Sequence, residues 1–186
     1  MLKRIFDLFF ASGLLFLISP VLVLLIIIAS IDTASFGIFT QIRVGQHGNL
    51  FKIYKIKTIR WENNLSHISF IGKSLRKYKL DELPQLFNII KGDMSVVGPR
   101  PDIQGYYDLL TGKDRDVLIL KPGLTSEASI KYRNEEDFLN TLQNPIHYND
   151  TVIFPDKVKM NLEYSKNQSF LMDLNIIIKT IKSFIT

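Results

Sequence analysis

Asp81 and Glu82 are adjacent carboxylates in the run Lys79-Leu-Asp-Glu-Leu-Pro-Gln-Leu-Phe-Asn-Ile-Ile-Lys-Gly-Asp-Met-Ser-Val-Val-Gly-Pro-Arg-Pro101, and basic residues crowd them. Lys73, Arg76, Lys77 and Lys79 lie upstream, and Arg100 follows between two prolines, in a segment too stiff for a casual linker. An acidic pair among fixed cations is a place to handle a phosphate ester. The competing reading is structural. Aspartate is a favoured helix cap and glutamate in a first turn suits the helix dipole, and composition alone favours that reading.

The elements that must position these groups can be read from the pattern around them. Leu83, Leu86, Phe87 and Ile90 repeat at the spacing of one helical face, which is expected to be the buried one, with Asp81, Gln85 and Asn88 opposite. Pro84 is tolerable in the first turn of this helix, and Gly92 supplies a left-handed cap at its end. Residues 71–79 read as a short basic helix leading into the carboxylates. Residues 36–60 read as a β-hairpin, in which Ile38, Thr40, Ile42 and Val44 alternate and Gly45-Gln-His-Gly-Asn49 makes the turn. On the return strand Phe51, Ile53, Lys55 and Lys57 share one face, so two lysines project from the rim of a core. A solvated edge strand blunted by lysines is the plainer account of the same pattern. His47 is a solvated turn residue.

Further along, 61–69 reads as a polar loop, 105–113 as a helix ending at Gly112, 121–125 as a turn, and 129–133 as an extended piece. Helices are expected over 156–166 and 170–185. The last has Phe170, Leu174, Ile177, Ile178, Ile181 and Phe184 on its apolar positions beside Lys179 and Lys182. Core packing is the default for that stripe, and docking at a lipid headgroup layer is the sharper reading.

The chain has 186 residues, enough for one domain with a real core. It contains no cysteine, which removes disulfides, thiol nucleophiles and thiolate metal sites. A net charge of +5 suits an anionic membrane surface or a phosphorylated ligand. Nucleic acid is not an expected partner, because no nucleic-acid motif occurs and the cations are dispersed among apolar segments. From Leu8 to Ile31 no residue is charged, a length sufficient for a bilayer helix. It is too long for a cleaved signal peptide, and no small-residue cleavage site follows. Ser19-Pro20 lies near its midpoint. Proline removes a helix hydrogen bond, so a kink is expected there, and the Ser19 hydroxyl can bond a freed carbonyl. A kinked span and a re-entrant hairpin with both ends on one face remain in competition, with Lys3 and Arg4 favouring a cytoplasmic N-terminus.

The central run resembles the core of the bacterial sugar transferases that act as polyprenyl-phosphate phosphoglycosyl transferases. The matching residues are Arg76, Asp81-Glu82, Leu83 to Leu86, Gly92 to Ser95 and Gly98 to Pro101. The stretches 41–45 and 51–58 and the Pro-Gly-Leu-Thr ending at Thr125 also resemble that family. Many related chains look longer in the polar loop, and an aspartate stands in many of them where this chain has Asn161. A role tied to that carboxylate does not carry over.

The resemblance implies a mostly helical α+β protein, monotopic, with an N-terminal kinked re-entrant helix at Ser19-Pro20 and a small β-hairpin. It tips the topology toward the hairpin, giving a membrane segment over 1–32 and a cytoplasmic catalytic domain over 33–186 on a bacterial inner membrane. The implied reaction moves a phosphosugar from a UDP-sugar to polyprenyl (undecaprenyl) phosphate and releases UMP, as the first membrane step in building a capsule, O-antigen or other glycan. Downstream glycosyl transferases are the implied partners. Asp81 would be the nucleophile, with Glu82 tuning it or helping it hold Mg²⁺. Lys55, Lys57, Arg76, Arg100, Pro101 and Arg133 would form the substrate-binding set. The cations and metal are expected to outweigh the repulsion between the carboxylates and keep Asp81 ionised. Two alternatives are transfer of the sugar alone with release of UDP, and an inactive membrane scaffold.

Overall fold

The computed structural model describes residues 2–62 and 65–184, which fold as two compact units. The first takes the residues up to 43 together with 50–96, and the second takes 44–49 together with the residues from 97 onward. The architecture is mostly helical with small two-stranded sheets, an α+β fold.

The first unit begins with helix α1, Leu2–Asp32, continuous through Pro20. Pro20 leaves the carbonyl of Phe16 without its usual donor, and the Ser19 hydroxyl donates to that same oxygen at 2.9 Å. At 1.5 Å per residue α1 is about 46 Å long, against a bilayer core of about 30 Å. Both of its ends are tied to the same unit. Near the start, Arg4 donates to the carbonyls of Ile89 (2.5 Å) and Ile90 (2.9 Å), and Asp7 accepts from the Val96 N–H at 3.0 Å. Near the end, Ser30 Oγ accepts from the Gly37 N–H at 2.9 Å, and Asp32 accepts from the Ser69 hydroxyl at 2.5 Å.

Strands β1, Ile38–Val44, and β2, Leu50–Ile56, form the expected hairpin. The segment expected to be a polar loop is instead a second antiparallel hairpin, β3, Ile59–Glu62, and β4, Leu65–Ile68, with Trp61 opposite Ser66 and Ile59 opposite Ile68. Asn63 and Asn64, which fell within that loop reading, lie outside the described residues. Helix α2, Phe70–Lys77, is N-capped by Ser69, whose side chain accepts from the Gly72 N–H. Helix α3, Gln85–Lys91, ends at Gly92 in the expected left-handed conformation (φ 100°). Buried Leu22, Ala29, Ile56 and Leu75 pack α1, β2 and α2 together, with Leu80 and Leu83 against them.

The expected inner face of α3 holds at Leu86 and at Leu83, which packs on the core, but not at Phe87, and the face expected to be outer is buried. Gln85, Leu86, Asn88 and Ile89 are buried, whereas Phe87 is exposed. Asn88 explains how a polar side chain is accommodated: its amide donates to the Lys52 carbonyl (2.8 Å) and accepts from the Tyr54 N–H (3.2 Å), as a neighbouring strand would. Phe87 and Ile90 line an apolar groove of about 420 Å³ with Leu15, Phe16, Leu22 and Ile26 of α1.

The second unit follows the short strand β5, Ser95–Val97. Gly98 and Gly123 lie back to back, with no room for a Cβ on either, while the Gly98 N–H donates to the Thr125 carbonyl at 3.0 Å. The expected turn at 121–125 therefore contains an extended piece, β6, Gly123–Thr125. The 105–113 helix is not formed. Gly112 (φ 57°) instead introduces a 3-10 helix over Gly112–Ile119. Likewise 129–133 is not extended, because Ser126 caps helix α4, Glu127–Lys131, by accepting from the Ser129 N–H. Short helices α5, Glu135–Leu139, and α6, Pro145–Tyr148, lead to α7, Phe154–Asn167. Helix α8, Phe170–Ser183, matches the last expected helix, except that Ile185 lies outside the described residues. It buries Asp173 and Ile176 rather than the anticipated stripe, and leaves Phe170, Ile178 and Ile181 exposed. The unit's core joins Val44, Tyr107, Val117, Leu118 and Val158.

Gly72 lets α2 approach β3's lead-in closely, since a Cβ there would lie 2.5 Å from the Thr58 carbonyl oxygen. Gly72→Ala is expected to cost about 1–3 kcal/mol by overpacking, read as a lower midpoint in denaturant unfolding.

Candidate active site

The first unit builds a compact charged cluster. Strand β2 carries Lys55, and its Nζ lies 3.1 Å from Glu82 Oε1. Buried Thr58, just beyond that strand, accepts a hydrogen bond from Arg76 Nε at 2.9 Å. Arg76 sits in the last turn of α2, so the helix that runs close over Thr58 also aims its guanidinium. The chain then reverses at Lys79, a non-glycine residue in the left-handed region (φ 55°), and enters a 3-10 turn over Leu80–Glu82. That turn presents both carboxylates inward, Asp81 only 7% exposed and Glu82 5%.

The two acids are treated differently. Glu82 has its lysine, whereas Asp81 Oδ1 is buried with no hydrogen-bond partner among the described residues. The capping reading therefore loses its basis: Pro84 precedes α3 with no side-chain cap, and Asp81 makes no such bond. Burial, and then the neighbouring Glu82, push the Asp81 carboxyl above its ordinary value of 3.8, although Lys55, Lys79 and Arg76 pull it down. Desolvation of this nearly enclosed carboxylate is the largest cause of the upward shift, a contribution that the balance between the cations and the neighbouring acid leaves out.

Of the sequence-derived site residues, this unit brings together Asp81, Glu82, Lys55 and Arg76. Lys57 follows the end of β2, and its ammonium donates to Ser35 Oγ at 2.6 Å. Arg100, Pro101 and Arg133 belong to the second unit. There Pro101 is buried, Arg100 is half-buried, and the Arg133 guanidinium lies over the Phe184 ring at 4.5 Å rather than against Glu135 or Glu136. Asn161 is buried and donates to the Tyr107 hydroxyl at 3.0 Å, a packing role that needs no carboxylate. Thr58 and the left-handed Lys79 went unread as positioning residues. A lone threonine after Lys57 carries no signal, and Lys79 was read only for its charge.

Among the described residues no group of three or more metal-ligating side chains occurs. A Mg²⁺ ion needs no such cage, since it commonly takes one or two carboxylates and completes its shell with water and substrate phosphate. The unpartnered Asp81 oxygen beside Glu82 fits that donor set.

The family model for bacterial sugar transferases matches residues 1–186, so the chain belongs to that family. It is 33% identical to an uncharacterized sugar transferase, EpsL, of Bacillus subtilis (strain 168), over 97% of this chain and 86% of that protein. It is 35% identical to a UDP-glucose:undecaprenyl-phosphate glucose-1-phosphate transferase of Klebsiella pneumoniae, over 98% of this chain and 40% of the relative. It is 31% identical to an undecaprenyl-phosphate galactose phosphotransferase of Salmonella typhimurium, over 97% of this chain and 40% of the relative.

A raised carboxyl pKa carries a definite sign for stability. Below 3.8 Asp81 is protonated whether folded or unfolded; as pH rises the unfolded chain ionises first, and the folded state loses ground until its own carboxyl ionises. Asp81→Asn removes that penalty. Its melting temperature should exceed the parent's at neutral pH, with the gap closing on acidification toward pH 3.8, checked by thermal unfolding across a pH series.

Proposed function

We propose that this chain transfers a phosphosugar from a UDP-sugar to polyprenyl phosphate and releases UMP. A carboxylate oxygen of Asp81 attacks the β-phosphorus of the donor. The bond from that phosphorus to the bridging oxygen breaks, UMP leaves with the oxygen, and the phosphosugar remains on Asp81 as an acyl phosphate. A phosphate oxygen of the polyprenyl phosphate then attacks the same phosphorus. Asp81 leaves as a free carboxylate, and the product is a polyprenyl diphosphate sugar.

The observation that carries this reading is the unpartnered, buried Asp81 oxygen inside a shell of Lys55, Arg76 and Lys79. A carboxylate stripped of hydrogen bonds is a better nucleophile than a solvated one, and the cations offset the approach of an anionic diphosphate. Glu82, held by Lys55, places negative charge beside Asp81, which makes the Asp81 carboxylate more basic and so a stronger nucleophile in the first step, while the surrounding cations favour its departure in the second. Mg²⁺ held by Asp81 and Glu82 would supply further charge neutralisation on the diphosphate when bound. Lys57, Arg100, Pro101 and Arg133 are proposed as donor and lipid-phosphate contacts. The transfer of glucose 1-phosphate named for the Klebsiella relative favours a phosphosugar over a bare sugar as the group moved.

The membrane placement follows the same reading. One helix, Leu2–Asp32, is long and apolar enough to cross a membrane. A spanning α1 would have to leave Ile89, Ile90 and Val96 at one bilayer surface and Gly37 and Ser69 at the other, yet all belong to one compact unit. Attachment at both ends favours a re-entrant helix over 1–32, with residues 33–186 on the cytoplasmic face, where UDP-sugars are made.

With UDP-sugar, Mg²⁺ and polyprenyl phosphate in nanodiscs, the parent is expected to release UMP and no UDP. Asp81→Asn should fold and release neither; UMP release at the parent's rate would remove Asp81 as the nucleophile. The absence of native cysteine makes topology equally direct. Leu2→Cys and Phe36→Cys should both label from the cytoplasmic side alone, whereas labelling of one from each side would establish a span.

A further inference from the structure

Helix α1 is the membrane segment of the proposed function, and the first unit carries a second set of exposed apolar side chains, at one end of a hairpin and the helix after it, that neither the core nor the proposed chemistry uses. Trp61 (66% exposed), Leu65 (74%) and Phe70 (85%) stand on the β3–β4 hairpin and at the start of α2. Trp61 lies opposite Ser66 and Leu65 opposite Glu62, so the two apolar side chains leave opposite faces at the same end of the hairpin, and Phe70 begins the helix directly after β4. Large apolar side chains this exposed are unusual on a face meant for water, and grouped ones mark an interaction surface.

What covers them follows from where the hairpin is fastened. Its two strands are tied to the last residue of α1. Arg60 of β3 donates to the Asp32 carbonyl at 3.3 Å, and Ser69, just after β4, donates to the Asp32 carboxylate. The end of α1 is itself apolar and exposed at Ile31 and, just beyond, at Phe36. A membrane helix leaves the hydrocarbon at its end, so the layer around Asp32 is the headgroup region. Tryptophan partitions there in preference to either water or hydrocarbon. Arg60 is paired with Glu62, and exposed His67 and Lys73 on the same elements suit the phosphates of that layer.

We propose that the β3–β4 hairpin and the start of α2 are a second membrane contact, with Trp61, Leu65 and Phe70 seated among phospholipid headgroups beside the end of α1. This rests on α1 being the membrane segment, and it deepens that reading. The hairpin leads directly from Thr58 and α2 leads directly to Arg76, so the contact would hold the Arg76 side of the acidic cluster at the lipid surface, where a polyprenyl phosphate presents its headgroup.

Trp61 is the single tryptophan of the chain, so its emission reports this surface alone. The full chain is placed in phosphatidylcholine nanodiscs whose acyl chains carry bromine either close to the headgroup or near the chain terminus. Shallow bromine is expected to remove more of the Trp61 emission than deep bromine, with the emission shifted to the blue of that in the denatured chain. Three outcomes overturn the proposal: no loss with either lipid while aqueous acrylamide quenches freely; greater loss with deep bromine; or protection from acrylamide that UDP-sugar alone produces, which would make the hairpin a lid. UMP release is measured on the same discs. Shallow quenching without UMP release counts against the proposed reaction and leaves the surface standing, and UMP release without lipid quenching does the reverse.

Discussion

An unequal division of positive charge between two neighbouring acids governs this structure. Lys55 reaches Glu82 at 3.1 Å, and the adjoining Asp81 is buried just as deeply with an oxygen that nothing bonds. Burying a carboxylate in that condition is costly, and its elevated pKa is the sign of that cost. Such a group persists only where surrounding structure over-determines it. Here the determinants are concrete: the left-handed Lys79, the close approach of α2 to Thr58 that aims Arg76, and the Asn88 amide that fixes α3 against β2.

The same scaffold links chemistry to lipid. Leu22 and Ala29 of α1 share a buried cluster with Ile56 and Leu75, and Leu80 and Leu83, on either side of the acids, pack against it. The acidic turn thus rests on the helix that would enter the bilayer. Arg4 closes the other end of this arrangement by donating to two carbonyls in the last turn of α3, those of Ile89, which also accepts from the Gly92 N–H, and of Ile90. Movement of α1 would be felt at both ends of α3. That coupling suits an enzyme that meets a water-soluble donor and a membrane-bound acceptor at one carboxylate.

Much of this was legible in the sequence because the signals were local. The Ser19 hydroxyl that takes up the carbonyl freed by Pro20, the strand over Ile38 to Val44, and the left-handed Gly92 after Lys91 are each decided within a few residues. The acidic pair and Arg76 were legible as a motif, and the structure joins them with Lys55. What failed was decided by tertiary context. Phe87 reads as core by helical spacing, but α3 packs against α1 and a strand edge, so Asn88 goes inside and Phe87 borders an apolar groove. The β3–β4 strands are four residues each, too short for alternation to declare itself. Residues 129–133 read as extended until the Ser126 hydroxyl is seen capping α4. The direction of the Asp81 pKa required burial, which spacing does not encode.

The central claim is a covalent one, and mass decides it. The purified chain is incubated with UDP-sugar and Mg²⁺ in the absence of polyprenyl phosphate, quenched in acid and digested. The account predicts one peptide, containing Asp81, heavier by the mass of the phosphosugar less water, with the increment lost when polyprenyl phosphate is added before the quench. An unmodified Asp81 peptide, from a preparation that makes lipid-linked product at the same time, would contradict it.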